Sequence, residues 1–225
     1  HSSYGTRAVW CEMKIRSIVE LEDALDQDLA SRKRYLTALK FALDGARDHE
    51  KRVIANGAVC ILYAHWEGFV KYAGTCFTNY VSRLGLPYEQ LSNGIVATCV
   101  RSQLKALRLS NSIRMNRDLI ELIRDRTGEK PVIPWQAAIE TYNNLNSEVL
   151  YEILQIVGCD SAPYVTRSVF IDEKLLRHRN RIAHNGHDHE FDVSDFPDLH
   201  SGGLSLLDQI RTDVQNAALL KYFQR

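Results

Sequence analysis

Apolar residues recur along most of the chain at the three- and four-residue spacing of amphipathic helices. Between residues 17 and 45, leucines alternate with charged residues in this way, and Ser17 with Glu20 forms a candidate capping box at the start. A second long helix is predicted from about His49 to Leu84. Its middle is apolar almost all the way round, which is typical of a central, buried helix.

The rest of the chain keeps the helical period but is less regular. Gly and Pro mark a loop at 127–134, and a polar stretch at 187–203 is predicted to be a second loop. No segment alternates apolar and polar residues as a strand does. Further helices are predicted at 95–109, 112–126, 135–157, 168–184 and 204–223. The sequence therefore predicts an all-α helical bundle with an irregular helical insert at about 88–134.

Length and composition fit one globular domain. The chain has 225 residues, of which 45% are hydrophobic and 25% charged, so a sizeable core is available. Residues 1–12 differ in character from the rest of the chain, and Met13 resembles a natural start. We therefore predict a single domain at 13–225, preceded by a remnant of expression or of an upstream reading frame at 1–12.

Charge and cysteine content narrow the possible functions. Equal numbers of basic and acidic residues, 28 of each, argue against a protein that coats nucleic acid non-specifically. The five cysteines are scattered without a CxxC pair, as expected in a reducing cytoplasm. The most apolar run, residues 53–64, is too short to span a bilayer, so no membrane span is expected. No GxGxxG or GxxxxGK(S/T) loop is present, and no cofactor is expected.

One arginine stands out because it lies within an apolar helical stripe. Arg179 has Leu175 and Leu176 before it and Ile182 and Ala183 after it, at the spacings of same-face neighbours. A guanidinium there needs a counter-charge or an anionic ligand, because a buried unpaired charge costs several kcal/mol. The sequence alone leaves both possibilities open.

Two partners for Arg179 can be named. Glu67, on the second helix, is equally out of place between apolar neighbours and is either a buried supporting partner or half of a surface pair with Lys71. A phosphate is the other candidate, since the planar guanidinium suits it. His184 follows at the helix end as a candidate general base or acid, and Asn180 shares its face and can orient it.

Arg179 and His184 do not point the same way on a regular helix, because five residues rotate by about 140°. They converge only if the helix ends near Ala183, or if a second copy of the chain completes the site. Arg177 and Arg181 flank the motif in one row with His184, and they are either RNA-backbone contacts or solvated surface. His184, His187, Asp188 and His189 form a weak metal motif, and we predict no metal there.

The segment Arg179-Asn180-Arg181-Ile182-Ala183-His184, preceded by residues 171–176, resembles the R-x4-6-H signature of the HEPN superfamily. The 63–69 segment resembles the second helix of a stand-alone bacterial branch of HEPN proteins. A Gly usually follows the His directly, whereas this chain has Asn185 and then Gly186. The resemblance extends from Met13 to the C-terminus and is most specific at 50–80 and 168–187.

The resemblance implies a cytoplasmic homodimer with a composite active site that cleaves RNA without a metal. His184 would activate the 2′-hydroxyl, Arg179 would stabilise the phosphate, Asn180 would orient the site and Glu67 would support it. It also implies a toxin or antiviral defence role, with an antitoxin or defence-system partner protein. Some members have lost catalysis, so the alternative is an inactive module that binds a nucleotide or protein and serves as a dimerisation scaffold.

Overall fold

The computed structural model describes residues 14–108, 113–185 and 191–225, and within these ranges the chain is helical without a strand. Leu91 and Gln224 form an isolated β-bridge there. This confirms the predicted all-α fold. The α-helices are α1 (Ile18–Asp44), α2 (Asp48–Leu84), α3 (Asn93–Arg108), α4 (Ile113–Asp125), α5 (Ser147–Val157), α6 (Ala162–Val165), α7 (Arg177–Asn185) and α8 (Phe196–Leu219), with 3-10 turns at Tyr88–Gln90 and Val193–Asp195 and a π-helical segment at Phe170–Leu176.

α1 begins at the predicted cap. The Ser17 hydroxyl accepts a hydrogen bond from the Glu20 backbone N–H at 3.1 Å. The Glu20 carboxylate accepts from the backbone N–H of Arg16, 2.6 Å away, so two amides at the helix start are satisfied. The core-facing side of α1 is a row of buried leucines at 21, 25, 29, 36 and 43.

α2 is the central helix, as its sequence predicts. It packs against α1, α5, α7 and α8. Trp66, Phe69 and Phe77 are fully buried along it. Burying one such side chain contributes roughly 1.5–3 kcal/mol, so this helix supplies much of the free energy of folding.

α2 is also the one helix, among the described residues, that is long and apolar enough to cross a membrane. The core helix of a protein that never enters a membrane passes the same test. Because α2 contacts four other helices of the bundle, its apolar surface is explained by packing. Its length and composition are therefore weak evidence for a membrane span.

The prediction of one helix over 135–157 is wrong for its first half. Residues 135–146 form turns and extended chain that run along α2, and a helix begins only at Ser147. The Trp135 carbonyl accepts from the Thr78 hydroxyl at 3.4 Å, and further along the Leu145 N–H donates to the Tyr63 hydroxyl at 2.6 Å. Contacts with α2 therefore replace helical hydrogen bonds in this segment, which we call the strap (residues 135–146).

The polar loop predicted at 187–203 is also shorter than expected. α8 already begins at Phe196, with Pro197 in its first turn, where a proline removes no helical hydrogen bond. Phe196 and Leu199 are buried, so an apolar stripe that starts before residue 204 anchors the helix. Residues 186–190, which include Gly186, lie outside the described residues.

The 88–134 region has the irregular helical character that its sequence predicts. α3 packs on α5 and on α4. The α3–α5 contact is very close, because a Cβ built on Gly94 lies far inside van der Waals contact with the Gln155 carbonyl oxygen. Only a glycine allows this backbone-to-backbone approach.

Replacing Gly94 should therefore separate α3 from α5. We expect Gly94→Ala to lower the free energy of unfolding by about 1–3 kcal/mol, because the backbone must shift to accept the methyl group. The matched control is Gly57→Ala in α2, where a Cβ meets no atom within 4 Å. That variant should gain up to about 1 kcal/mol from helix propensity. Urea denaturation measures both, and equal effects would contradict the close contact.

His200 gives the fold a pH dependence. Its ring is buried between Phe196 and the Leu36 carbonyl, with Nε2 at 3.2 Å from that oxygen. Burial is the main cause that lowers the pKa of His200; Lys40 also lowers it, whereas the hydrogen bond to Leu36 and the carboxylate of Asp44 oppose the shift. A histidine with a lowered pKa in the folded state stabilises the fold above its unfolded pKa, about 6.5.

We therefore expect the free energy of unfolding to fall as the pH drops from about 6.5 through the lower folded-state pKa of His200. In His200→Gln the fall should be smaller. Denaturation titrations at several pH values measure the slope, and His49→Gln controls for the loss of an exposed histidine. Identical slopes in wild type and His200→Gln would contradict this role.

Candidate active site

The segment that carries the motif is one continuous helix with a π-helical start. Residues Phe170–Leu176 are π-helical and lead directly into α7. Asp172 holds this start in place, because its carboxylate accepts from the Ser147 N–H at 2.8 Å and from the Ser147 hydroxyl at 2.6 Å. π-Helical turns inside α-helices are frequent at functional sites. The predicted helix is thus present, and its π-helical turn is an addition.

The apolar stripe around Arg179 is shorter than predicted. Leu175 and Leu176 are buried and Ile182 is half-buried, but Ala183 is exposed. Arg179 itself is half-buried, with 21% of its side chain exposed. It lies at the edge of the core rather than in the middle of an apolar face, so a ligand at the surface can approach it.

Arg179 is held by groups of its own chain. Its Nη2 donates to the Asn143 carbonyl oxygen at 2.8 Å. Its guanidinium carbon lies 4.2 Å from the centre of the Tyr63 ring, a cation–π contact. Nη2 forms a long ion pair with Glu67, 4.0 Å from the nearest carboxylate oxygen, and Nε is buried without an acceptor among the described residues. The cation is therefore positioned tightly, and its ion pair with Glu67 is long.

Tyr63 links Arg179 to the strap. Its hydroxyl accepts the Leu145 N–H, and its ring carries the guanidinium on one face. Burial, opposed in part by the neighbouring Arg179, raises the pKa of Tyr63 to about 12. The phenol is therefore neutral at physiological pH and offers Arg179 a ring face rather than a counter-charge.

The strap reaches Arg179 through two unusual residues. Tyr142 and Asn143 both have left-handed backbone angles, with φ of 54° and 56°. Such strain costs on the order of 1–3 kcal/mol per residue and clusters at functional sites. It turns the Asn143 carbonyl towards Arg179 and places the Asn144 side-chain oxygen 3.5 Å from the Asn180 amide. In the sequence, Asn143-Asn144 indicates only an irregularity within a predicted helix.

His184 does not join Arg179 within one chain. It is exposed in the last turn of α7, which continues to Asn185, so the helix does not end near Ala183. The rotation of about 140° between the two residues therefore remains. Asn180 has Asn144 as its hydrogen-bond partner. The structure brings Arg179 and Glu67 together, connects Asn180 to the strap, and places His184 on a different face of α7.

The flanking arginines are at the surface. Arg177 and Arg181 are exposed in one row with His184, and Arg177 also forms an ion pair with Glu173. In the part of the chain that the structure describes, no group of three His, Cys, Asp or Glu residues could hold a metal ion. His187, Asp188 and His189 lie outside the described residues.

Cys60 is a neighbour of the site that the sequence pattern did not single out. It precedes Tyr63 and Glu67 on the same face of α2, at helical spacing that is visible in the sequence. Burial raises the pKa of Cys60, and the positive charge of Arg179 opposes this shift. The thiol is half-buried beside the site, and its raised pKa disfavours the thiolate form.

The arrangement has the properties of an anion-binding site. Arg179 is fixed in direction by a carbonyl and a ring, neither of which carries a negative charge.

A family model described as HEPN_MAE_28990-like HEPN matches residues 21–223, nearly the whole chain. No curated protein and no solved structure matches the chain.

The 4.0 Å separation of Arg179 from Glu67 can be tested by mutation. We expect Glu67→Gln to change the free energy of unfolding by less than about 1 kcal/mol, as for weak, partly exposed pairs. Tyr63→Phe should cost more, about 1–3 kcal/mol, because the buried Leu145 N–H loses its acceptor. Chemical denaturation measures both. A loss of about 3–5 kcal/mol in Glu67→Gln would mean that Glu67 is the essential counter-ion.

Proposed function

Since the chain belongs to the HEPN_MAE_28990-like HEPN family, whose domains are generally nucleases or nucleotide-binding modules, we propose that it is a metal-independent endoribonuclease. The observation that carries the proposal is the state of Arg179. Its guanidinium is oriented by neutral groups, partly exposed, and 4.0 Å from the nearest carboxylate oxygen of Glu67. Because the ion pair with Glu67 is long, a phosphodiester can supply a closer anionic acceptor for this guanidinium.

The reaction that fits these groups is attack of the 2′-hydroxyl on the adjacent phosphorus. The 2′-O–P bond forms and the P–O5′ bond breaks, which leaves a 2′,3′-cyclic phosphate and a 5′-hydroxyl end. His184 takes the proton of the 2′-hydroxyl, and a protonated histidine or water supplies the proton of the leaving oxygen. Arg179 stabilises the negative charge that develops on the phosphoryl oxygens. Only RNA has the attacking hydroxyl.

The active unit is proposed to be a homodimer. Arg179 and His184 of one chain diverge by about 140° on α7, so one copy does not present both to the same phosphate. In a two-fold dimer each His184 meets the Arg179 of the other copy, and Arg177 and Arg181 extend the basic surface towards the RNA backbone. Asn180, whose side-chain amide donates to the Asn144 side-chain oxygen, orients the site.

The cellular role is proposed from the family resemblance. We place the enzyme in the cytoplasm as the toxin of a toxin–antitoxin pair or as an antiviral effector, restrained by a partner protein. No cofactor takes part in this chemistry.

A non-catalytic scaffold is the second candidate, and one observation favours it. Arg179 already contacts three groups of its own chain, and its Nε is buried. In that case its task is to tie α7 to α2 and the strap. His184 would then be a surface residue at the end of a helix.

Cleavage assays in EDTA separate the two candidates. Wild-type protein should cut single-stranded RNA, and His184→Ala should be slower by about 100-fold or more, because one positioned acid–base group contributes about 10²–10⁴-fold. His49→Ala, which changes another exposed histidine, is the control. Equal rates in wild type and His184→Ala would contradict the mechanism.

Mixing variants tests the composite site. His184→Ala and Arg179→Lys should each be inactive alone. After the subunits exchange, half of the dimers contain one intact site, so the mixture should regain about a quarter of wild-type activity. Sites built within one chain would give no recovery.

A further inference from the structure

A polar pocket of about 510 Å³ lies between α1 and α2, beside the candidate site but not part of it. His65 lines it, and His65 and Glu67 are two residues apart on α2, so they project about 200° apart around the helix. The pocket is therefore on the other flank of α2 from Arg179. It is lined by Asp28, Ser31, Arg32, Arg34, Tyr35 and His65.

Arg32 forms a fixed wall of this pocket. Its Nε donates to the Asp28 carboxylate at 2.5 Å, and its Nη1 donates to the His65 carbonyl at 3.2 Å. Gly68 makes room for it, since a Cβ at that position would lie 2.9 Å from Arg32 Nη1. The glycine therefore lets the guanidinium lie across α2.

His65 and Tyr35 form the aromatic part of the pocket. Their ring centres are 5.1 Å apart, and Tyr35 is 55% exposed. Nδ1 of His65 is buried without a hydrogen-bond partner among the described residues. Burial and the charge of Arg32 lower the pKa of His65, and the carboxylate of Asp28 opposes this shift. A lowered pKa favours the neutral ring, which suits an aromatic wall.

Small residues lie on the surface between this pocket and Arg179. The outward face of α2 carries the small residues Gly57, Cys60 and Ala64, of which Gly57 and Ala64 are exposed. A helix is about 10–12 Å wide with its side chains, and small residues make it narrower and flatter. A few unpaired nucleotides can therefore cross it from one flank to the other.

We propose that this pocket is a subsite for an unpaired base of the RNA, beside the nucleotides cleaved at Arg179. The base stacks on Tyr35, and its phosphate lies near Arg34, which is exposed. An exposed aromatic ring next to arginines is the combination that binds single strands with little sequence preference. The inference rests on the proposed ribonuclease function and adds the path of the substrate.

The test measures binding and cleavage separately. Binding is measured by fluorescence anisotropy with a labelled single-stranded RNA of about twelve nucleotides, in His184→Ala protein that leaves the probe intact. Adding Tyr35→Ala should weaken binding at least about fivefold, since a stacked base is worth roughly 1–3 kcal/mol. Tyr35→Phe keeps the ring and should bind normally. Phe41→Ala, which removes another exposed aromatic ring of α1, should have no effect.

Cleavage by otherwise wild-type protein gives a second readout. Tyr35→Ala should raise KM for the long RNA and leave kcat unchanged. Cleavage of a dinucleotide, which is too short to reach the pocket, should not change at all.

Equal binding and KM in wild type and Tyr35→Ala would overturn the subsite while the nuclease stands. A loss that Phe41→Ala shares, or one accompanied by a change of oligomeric state in sedimentation, would also overturn it, because Tyr35 would then act in general packing or at a subunit interface. If wild-type protein neither binds nor cleaves RNA, the proposed function itself fails and the subsite fails with it.

Discussion

The position of one guanidinium determines how the residues of the candidate site are arranged. Arg179 lies at the edge of the core, where full burial would demand a counter-ion and full exposure would leave the side chain mobile. A carbonyl of the strap and the ring face of Tyr63, both uncharged, hold the guanidinium in this position. These groups fix the direction of the guanidinium, and the carboxylate of Glu67 lies at the longer distance of 4.0 Å. An arginine held in this way suits the phosphate contact proposed above.

This solution depends on the strap and on α2 together. The strap bonds to α2 at Thr78 and at Tyr63, and between these two anchors it has two residues with left-handed backbone angles. The strain is tolerated because the surrounding contacts determine the path of the chain. α2 therefore has two roles. It contributes buried side chains to the core. Its solvent-facing side also lies between the two flanks that the proposed RNA path connects.

The sequence predicts the helices well where burial and periodicity agree. The leucines of α1 and the continuous apolar character of α2 predict buried helices, and both are present. It fails for the strap, because Ile139 and Leu145 are buried there by contact with α2 rather than by a helical stripe. Local periodicity contains no information about that partner. The start of α8 is not predicted because Pro197 resembles a loop signal. A proline is nevertheless compatible with a first helical turn.

The candidate site shows the same division. Arg179 is visible in the sequence because a charge among apolar neighbours is anomalous, and Glu67 because it breaks the apolar face of α2. Asn143 is invisible because it contributes a backbone carbonyl, a group that every residue has. The separation of His184 follows from the continuation of α7 to Asn185, because Arg179 and His184 then lie on one regular helix. One copy of α7 carries Arg179 and His184 on different faces, so it does not form an active site from both groups by itself. The same arrangement is consistent with a site shared between two copies of the chain. A two-fold axis applies one rotation to both copies, so two residues that diverge within each chain can converge between chains.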